Sequence, residues 1–248
     1  MKTAVWITRT ASGANRTARA IEAKGYEAIV APVLQVQPLK AIIDPHSFDA
    51  VIVTSRNGLS GFTALCARRA VPIWCVGDAT AEAARAAKFQ EVISAGGSVD
   101  DLVDLIDRQG DRHLRFLYAA AKTPAAALTD RLRTLGFTVT EVAVYETQPV
   151  PAPLVPALLS RIGPILLHSA RGGQAVADIL IRHHDKIAFR DLSFICISEA
   201  AWQGVETTLR AARTPEIEKS LAEGIAHRIS PFPDEAAMLM LLDESASR

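Results

Sequence analysis

The chain has 248 residues, 49% of them hydrophobic and 22% charged, with 27 Lys and Arg against 27 Asp and Glu. This composition excludes a disordered chain, and the zero net charge argues against a general electrostatic grip on nucleic acid. No apolar run approaches the ~20 residues of a membrane span, and Cys66, Cys75 and Cys196 lie too far apart for a metal or redox motif. The expectation is a cytoplasmic protein with buried structural thiols.

The pattern over 3–8 predicts a buried strand, followed by a loop at 9–13 and a helix closed by Lys24 and Gly25. A second strand over 27–31 runs on as an alternating extended tail, 32–38, longer than a domain strand needs. Strand 50–55 then leads to a helix ending near Arg69. The run 73–80 follows with an Ala-rich helix over 81–88, then a short strand at 91–93, the corner Ala95-Gly96-Gly97-Ser98 and a helix over 99–108. Strand, turn and helix alternate, which predicts a parallel sheet.

The grammar then repeats. Strand 116–118, helix 125–134, the stop at Gly136 and strand 138–144 lie over the first unit at a shift of 111, which superposes Gln37-Pro38 on Gln148-Pro149. Val53-Thr54-Ser55 lies over Leu167-His168-Ser169, and Gly77-Asp78-Ala79 over Ser198-Glu199-Ala200. Residues 207–224 read as an extra helical insertion, and Arg228 to Pro233 with a helix from Asp234 echoes the corner after Ile93. Two similar α/β domains follow. The extended stretches 32–38 and 142–149 mark where the chain crosses between them, and the pairing of the units stays open at this point.

No Gly-x-Gly-x-x-Gly follows the first strand, no Walker loop is present, and Ser55 and Ser169 lack a nucleophile elbow. His183-His184-Asp185 reads as a solvated helix end. What remains is a set of polar residues at strand C-termini, where open α/β sheets bind ligands: Thr8, Arg9, Thr54, Ser55, Arg56, Thr80, Lys122, Tyr145, Ser169, Arg171 and Ser198. Hydroxyls and free helix amides there suit carboxylates or phosphates. The same hydroxyls also suit plain helix capping, and Tyr145 also suits a strand surface.

In order and spacing these residues resemble the uroporphyrinogen-III synthase family over nearly the whole chain. The likeness rests on Thr8-Arg9, Pro32-Val33-Leu34, Val53 to Gly58, Val76 to Ala81, Val144-Tyr145-Glu146-Thr147 and Pro233 to Ala236. It implies two flavodoxin-like parallel-sheet α/β domains joined by a two-stranded antiparallel connector. Domain 1 would hold 1–35 and 154–248, domain 2 would hold 40–145, and the connector about 32–39 and 142–153. It implies a cofactor-independent lyase with no metal, and a monomer is the default expectation because nothing in the sequence demands an oligomer. That enzyme would take hydroxymethylbilane from hydroxymethylbilane synthase and cyclise it, with loss of water and inversion of ring D, for haem, sirohaem or cobalamin synthesis.

By the same resemblance Tyr145 is the proton donor to the departing hydroxyl, and Thr80 a catalytic cleft hydroxyl. Thr54, Ser55, Ser169, Ser198 and the amide of Ala170 would hold acetate and propionate groups, with Arg9, Arg56 and Arg171 balancing carboxylates. Three positions depart from the pattern: the loop around Lys122, His168, and Ala201, which stands where the other copy has Thr80. The rival expectation is a two-lobed small-anion or tetrapyrrole binding protein without catalytic activity.

Overall fold

The computed structural model describes residues 4–124, 127–150, 156–159, 161–232 and 234–243. Thr3, the expected helix start at Ala125, positions 151–153 of the expected connector and Pro233 lie outside the described residues. In chain order the elements are β1 (Ala4–Ile7), α1 (Ala11–Ala23), β2 (Glu27–Val30), β3 (Leu34–Pro38), β4 (Ala50–Val53), α2 (Arg56–Leu65) and β5 (Ile73–Cys75). There follow α3 (Asp78–Ala86), β6 (Val92–Ser94), α4 (Val99–Gln109), β7 (Arg115–Ala121), α5 (Leu128–Thr134), β8 (Thr138–Pro149) and α6 (Pro156–Leu159). The chain closes with β9 (Ile162–Leu167), α7 (Ala170–Arg182), β10 (Ser193–Cys196), α8 (Glu199–Ala211), α9 (Pro215–Glu223), β11 (Ala226–Ile229) and α10 (Glu235–Asp243).

Two compact units result. Unit 1 takes Met1–Gln35 and Gln148–Arg248, and unit 2 takes Val36–Thr147. The sheet of unit 1 has the order β11-β10-β9-β1-β2 and is parallel throughout. In unit 2 the order is β3-β8-β7-β4-β5-β6, parallel from β8 to β6. Beside β8, Leu39 N–H donates to Val144 O at 3.0 Å and Val150 N–H to Val33 O at 2.8 Å. The opposite order of these pairs along the two segments makes β3 antiparallel to β8.

Each parallel sheet winds outward in one direction and then resumes on the other side of an early strand. That reversal falls between β1 and β9 in unit 1, and between β4 and β7 in unit 2. Unit 1 has the flavodoxin-type order, two-one-three-four-five. The parallel strands of unit 2 read three-two-one-four-five, the other common doubly wound order.

Both faces of each sheet are covered, as near-continuous apolar strands require. On β1, Trp6 packs with Ile165, Leu167 and Phe194, while Val5 and Ile7 face Ile21, Leu166 and Met238. On β4, Val51 and Val53 meet Phe62 and Leu117, while Ile52 meets Ile106, Phe116 and Tyr118. At roughly 1.5–3 kcal/mol per buried large apolar side chain, these layers supply the main stabilisation.

Helix ends account for the agreements and the differences. Gly25 and Gly136, matched by the repeat, take φ of +88° and +89°, a region glycine enters without strain. Expected as a loop residue, Gly13 instead sits in the first turn of α1, its N–H on Thr10 O at 3.2 Å. The helix expected to reach Arg69 ends at Leu65. Cys66 is extended there, and the Arg69 guanidinium takes the carbonyls of Cys66 and Thr63 at 2.6 and 3.3 Å, satisfying the freed chain end. The expected insertion at 207–224 resolves into the tail of α8 and a separate helix, α9, begun by Pro215.

Candidate active site

In unit 2 the parallel strands β4, β5 and β7 end on one edge, and the winding reversal between β4 and β7 puts Thr54 and Ser55 beside the end of β7. Ser55 is extended at φ −156°, ψ 162°, and its Oγ accepts from Gly58 N–H at 3.2 Å, capping α2. The same Oγ lies 3.2 Å from the Tyr145 hydroxyl. Tyr145 reaches this position because β8 pairs with β7 through an irregularity after Ala120, which sets Ala121 opposite Tyr145. Lys122 N–H then donates to Tyr145 O at 2.8 Å.

Thr54 Oγ1 lies 3.3 Å from the Tyr118 hydroxyl, a partner that sequence reasoning missed. Burial pushes the Tyr118 phenol up, against the opposing effect of that hydrogen bond, so Tyr118 stays protonated. Its signal in the sequence was one phenol at the centre of an otherwise apolar strand. Thr80 is 7% exposed in the first turn of α3, whose cap, Gly77, offers no side chain. Among the described residues no hydrogen bond joins Thr80 to Tyr145. Lys122 is held by Glu146 at 3.0 Å, which commits its charge away from an incoming anion.

The edge of unit 1 repeats the device. Ser169, at φ −170°, ψ 158°, accepts from Gly172 N–H at 3.1 Å and caps α7 as Ser55 caps α2. Ala170 is the first residue of α7, so its amide is one of the free N–H groups of that helix end. Ser198 precedes α8 in the same extended conformation but makes no cap bond, which leaves its hydroxyl for another partner. Arg56 and Arg171 stand exposed in the first turns of α2 and α7, without a polar partner among the described residues. A cation at a helix N-terminus opposes the macrodipole, so helix stability does not explain either arginine.

Arg9 is placed differently from the other two. Its Nη1 pairs with Glu235 Oε1 at 3.1 Å and donates to Thr17 Oγ1 at 3.4 Å. Glu235 also meets Arg16 at 3.2 Å and the Thr17 hydroxyl. Burial raises the Glu235 carboxyl, but the Thr17 hydroxyl and the Arg9 and Arg16 charges outweigh it and hold it below its ordinary value. His168, at the end of β9, has both ring nitrogens buried without a partner among the described residues. Burial, helped by the Arg9 charge, lowers its pKa to about 4, so the imidazole is neutral.

Two doubly wound α/β units, each presenting cap hydroxyls, helix amides and arginines beside its winding reversal, define a class of α/β protein whose strand ends have the chemistry to take anionic groups. The family model of uroporphyrinogen-III synthase HemD matches residues 15–221. The chain belongs to the uroporphyrinogen-III synthase family, whose members are cofactor-independent cyclising lyases of haem biosynthesis.

Among solved structures the chain is similar to uroporphyrinogen-III synthetase from Helicobacter pylori, with 18% identity, a TM-score of 0.64 and coverage of 99% of this chain and 100% of that one. It is also similar to a mutant uroporphyrinogen III synthase from the extremely thermophilic bacterium Thermus thermophilus, with 13% identity, a TM-score of 0.55 and coverage of 100% and 99%. At these identities the two structures speak for the fold. No curated protein sequence matches the chain. No helix among the described residues is long and apolar enough to cross a membrane.

Proposed function

We propose that this chain converts hydroxymethylbilane to uroporphyrinogen III. The supporting observation is that Tyr145, the family's expected proton donor, sits at the winding reversal of unit 2 with its hydroxyl 3.2 Å from the Ser55 oxygen that caps α2. Ser55 therefore holds the phenol in place. Tyr145 gives its proton to the ring A hydroxyl, the carbon–oxygen bond breaks, and water leaves an azafulvenium cation behind. Ring D attacks through its substituted carbon to form a spiro centre. Cleavage of the older carbon–carbon bond regenerates an azafulvenium cation, and closure at the free carbon completes the macrocycle. The proton lost from that carbon returns to the tyrosinate, so the only net loss is one water.

Uncatalysed closure omits the spiro step and gives isomer I, so the work of the protein is to fold the substrate. A thousandfold preference between the two paths needs about 4 kcal/mol of differential transition-state binding. Thr80 supplies a catalytic cleft hydroxyl in addition to the Tyr145 phenol. Thr54, Ser55, Ser169, Ser198 and the amide of Ala170 receive the acetate and propionate groups, and Arg9, Arg56 and Arg171 balance them. In this reading domain 1 is 1–35 with 154–248, domain 2 is 40–145, and the segments between them form the connector. The enzyme is a cytoplasmic monomer that takes its labile substrate from hydroxymethylbilane synthase.

The test is the isomer ratio. Hydroxymethylbilane generated in situ is incubated with the protein, and the product is oxidised and separated. Predominance of uroporphyrin III supports the reading, and isomer I alone from folded protein rejects it in favour of a binding protein without the chemistry.

A further inference from the structure

We infer that Glu235, Thr17 and Gly13 are positioning residues for Arg9, turning the Nε/Nη2 edge of its guanidinium toward a carboxylate of the substrate. The inference rests on the synthase reading and deepens it.

Three contacts fix the guanidinium, and all leave that edge open. Glu235 Oε1 and Thr17 Oγ1 both take Nη1, at 3.1 and 3.4 Å. A Cβ at Gly13 would collide about equally with Cζ, Nε and Nη2, so the guanidinium lies flat over the glycine, with its Nε/Nη2 edge not turned into the helix. Nε and Nη2 have no acceptor among the described residues, and the side chain keeps 22% of its surface. The Nε/Nη2 edge offers two parallel N–H groups, the geometry that grips a carboxylate through both oxygens.

The support behind these contacts is itself buried and bonded. Thr17 is fully buried, bonds Gly13 O at 3.1 Å and also meets Glu235. Glu235 is shared with Arg16, so Arg9 is not fully neutralised by its partner. Arg9 follows β1 and His168 follows β9, the two strands between which the sheet of unit 1 reverses its winding, which is where open α/β sheets take ligands. His168 is neutral there and adds no charge of its own beside Arg9.

The inference is tested with the full chain and uroporphyrinogen III, kept anaerobic, as the probe. Arg9→Gln, Glu235→Gln and Gly13→Ala are each expected to weaken its Kd about tenfold, with KM for hydroxymethylbilane rising more than kcat falls. Gly13 has an ordinary helical φ, and alanine is the better helix former by about 1 kcal/mol, so Gly13→Ala displaces the guanidinium without endangering the fold. Because Glu235 acts through Arg9, the Arg9→Gln/Glu235→Gln double variant should bind no more weakly than Arg9→Gln alone. An unchanged Kd in Glu235→Gln or Gly13→Ala overturns the inference, as do losses that simply add. Tighter binding in Glu235→Gln also overturns it, by making Glu235 a competitor of the substrate. The isomer ratio of the parent chain reports separately on the synthase reading, and a parent that neither makes isomer III nor binds the probe overturns both.

Discussion

Replacing Tyr145 by Phe separates two quantities that a structural tyrosine would lose together. The substitution removes one oxygen and keeps the ring against the apolar cluster that contains Val53 and Phe62. The bond lost is neutral and, at 3.2 Å, long for two hydroxyls, so its net contribution to stability is about 0.5–1 kcal/mol. Ser55 is not orphaned, because it still accepts from Gly58 N–H. For a chain of this size that predicts a melting shift of about 1–4 °C. A proton donor contributes roughly 10²–10⁴-fold to the rate, equivalent to about 3–5 kcal/mol of barrier. Turnover should therefore fall at least a hundredfold while the Kd for uroporphyrinogen III moves less than about threefold. The assay is the initial rate of isomer III formation beside equilibrium binding and a melting curve. A rate loss under fivefold, or equal losses in rate and binding, refutes the proton-donor role and makes Tyr145 a packing or binding residue.

Two further outcomes follow from the geometry. A Cβ at Gly58 would stand 2.6 Å from Ala119 O, against 3.2 Å from Ser169 Oγ for the matched Gly172, whose obstacle is a side chain able to give way. Gly58→Ala should cost about 1–3 kcal/mol in thermal unfolding and Gly172→Ala under 1, and equal costs would contradict this account of the two glycines. His168 titrates near 4 when folded against an ordinary 6.5, so between those values the unfolded chain binds the extra proton and stability rises with pH. The contribution is full above pH 6.5 and lost as pH falls to about 4, up to roughly 3 kcal/mol in denaturant titrations. His168→Gln should flatten that limb of the profile, and an unchanged limb would contradict the burial of the ring.

Local chemistry was legible in the sequence, and partnership across the sheet was not. A hydroxyl three residues before a glycine, after an apolar run, announced Ser55 and Ser169 as helix caps, and both are. Gly25 and Gly136 announced their helix stops in the same way. Thr54 was visible as a strand-end hydroxyl, but its pairing with Tyr118 depends on the register of β4 against β7, which no local pattern encodes. Arg9 was visible as a cation, but its holder Glu235 comes from the far end of the chain, and Gly13 read as a loop because its reason is the guanidinium above it. The helix overrun to Arg69 had the same origin: the apolar period continues past Leu65, and only the long reach of Arg69 back to Cys66 O rewards stopping there.

The interrupted course of unit 1 sets an order of assembly during synthesis. All of Val36–Thr147 is consecutive, so unit 2 has every strand of its parallel sheet once β8 has left the ribosome. Unit 1 must wait, because β1 needs β9, and the Thr8 hydroxyl finds Leu166 O across a separation of 158 residues. Closing so long a loop from a disordered chain is slow and leaves apolar β1 exposed meanwhile. A unit 2 already folded between them converts most of that loop into a compact body and shortens the search. Destabilising changes in unit 2, Gly58→Ala among them, should therefore lower the yield of soluble protein through unit 1, whose own contacts they never touch.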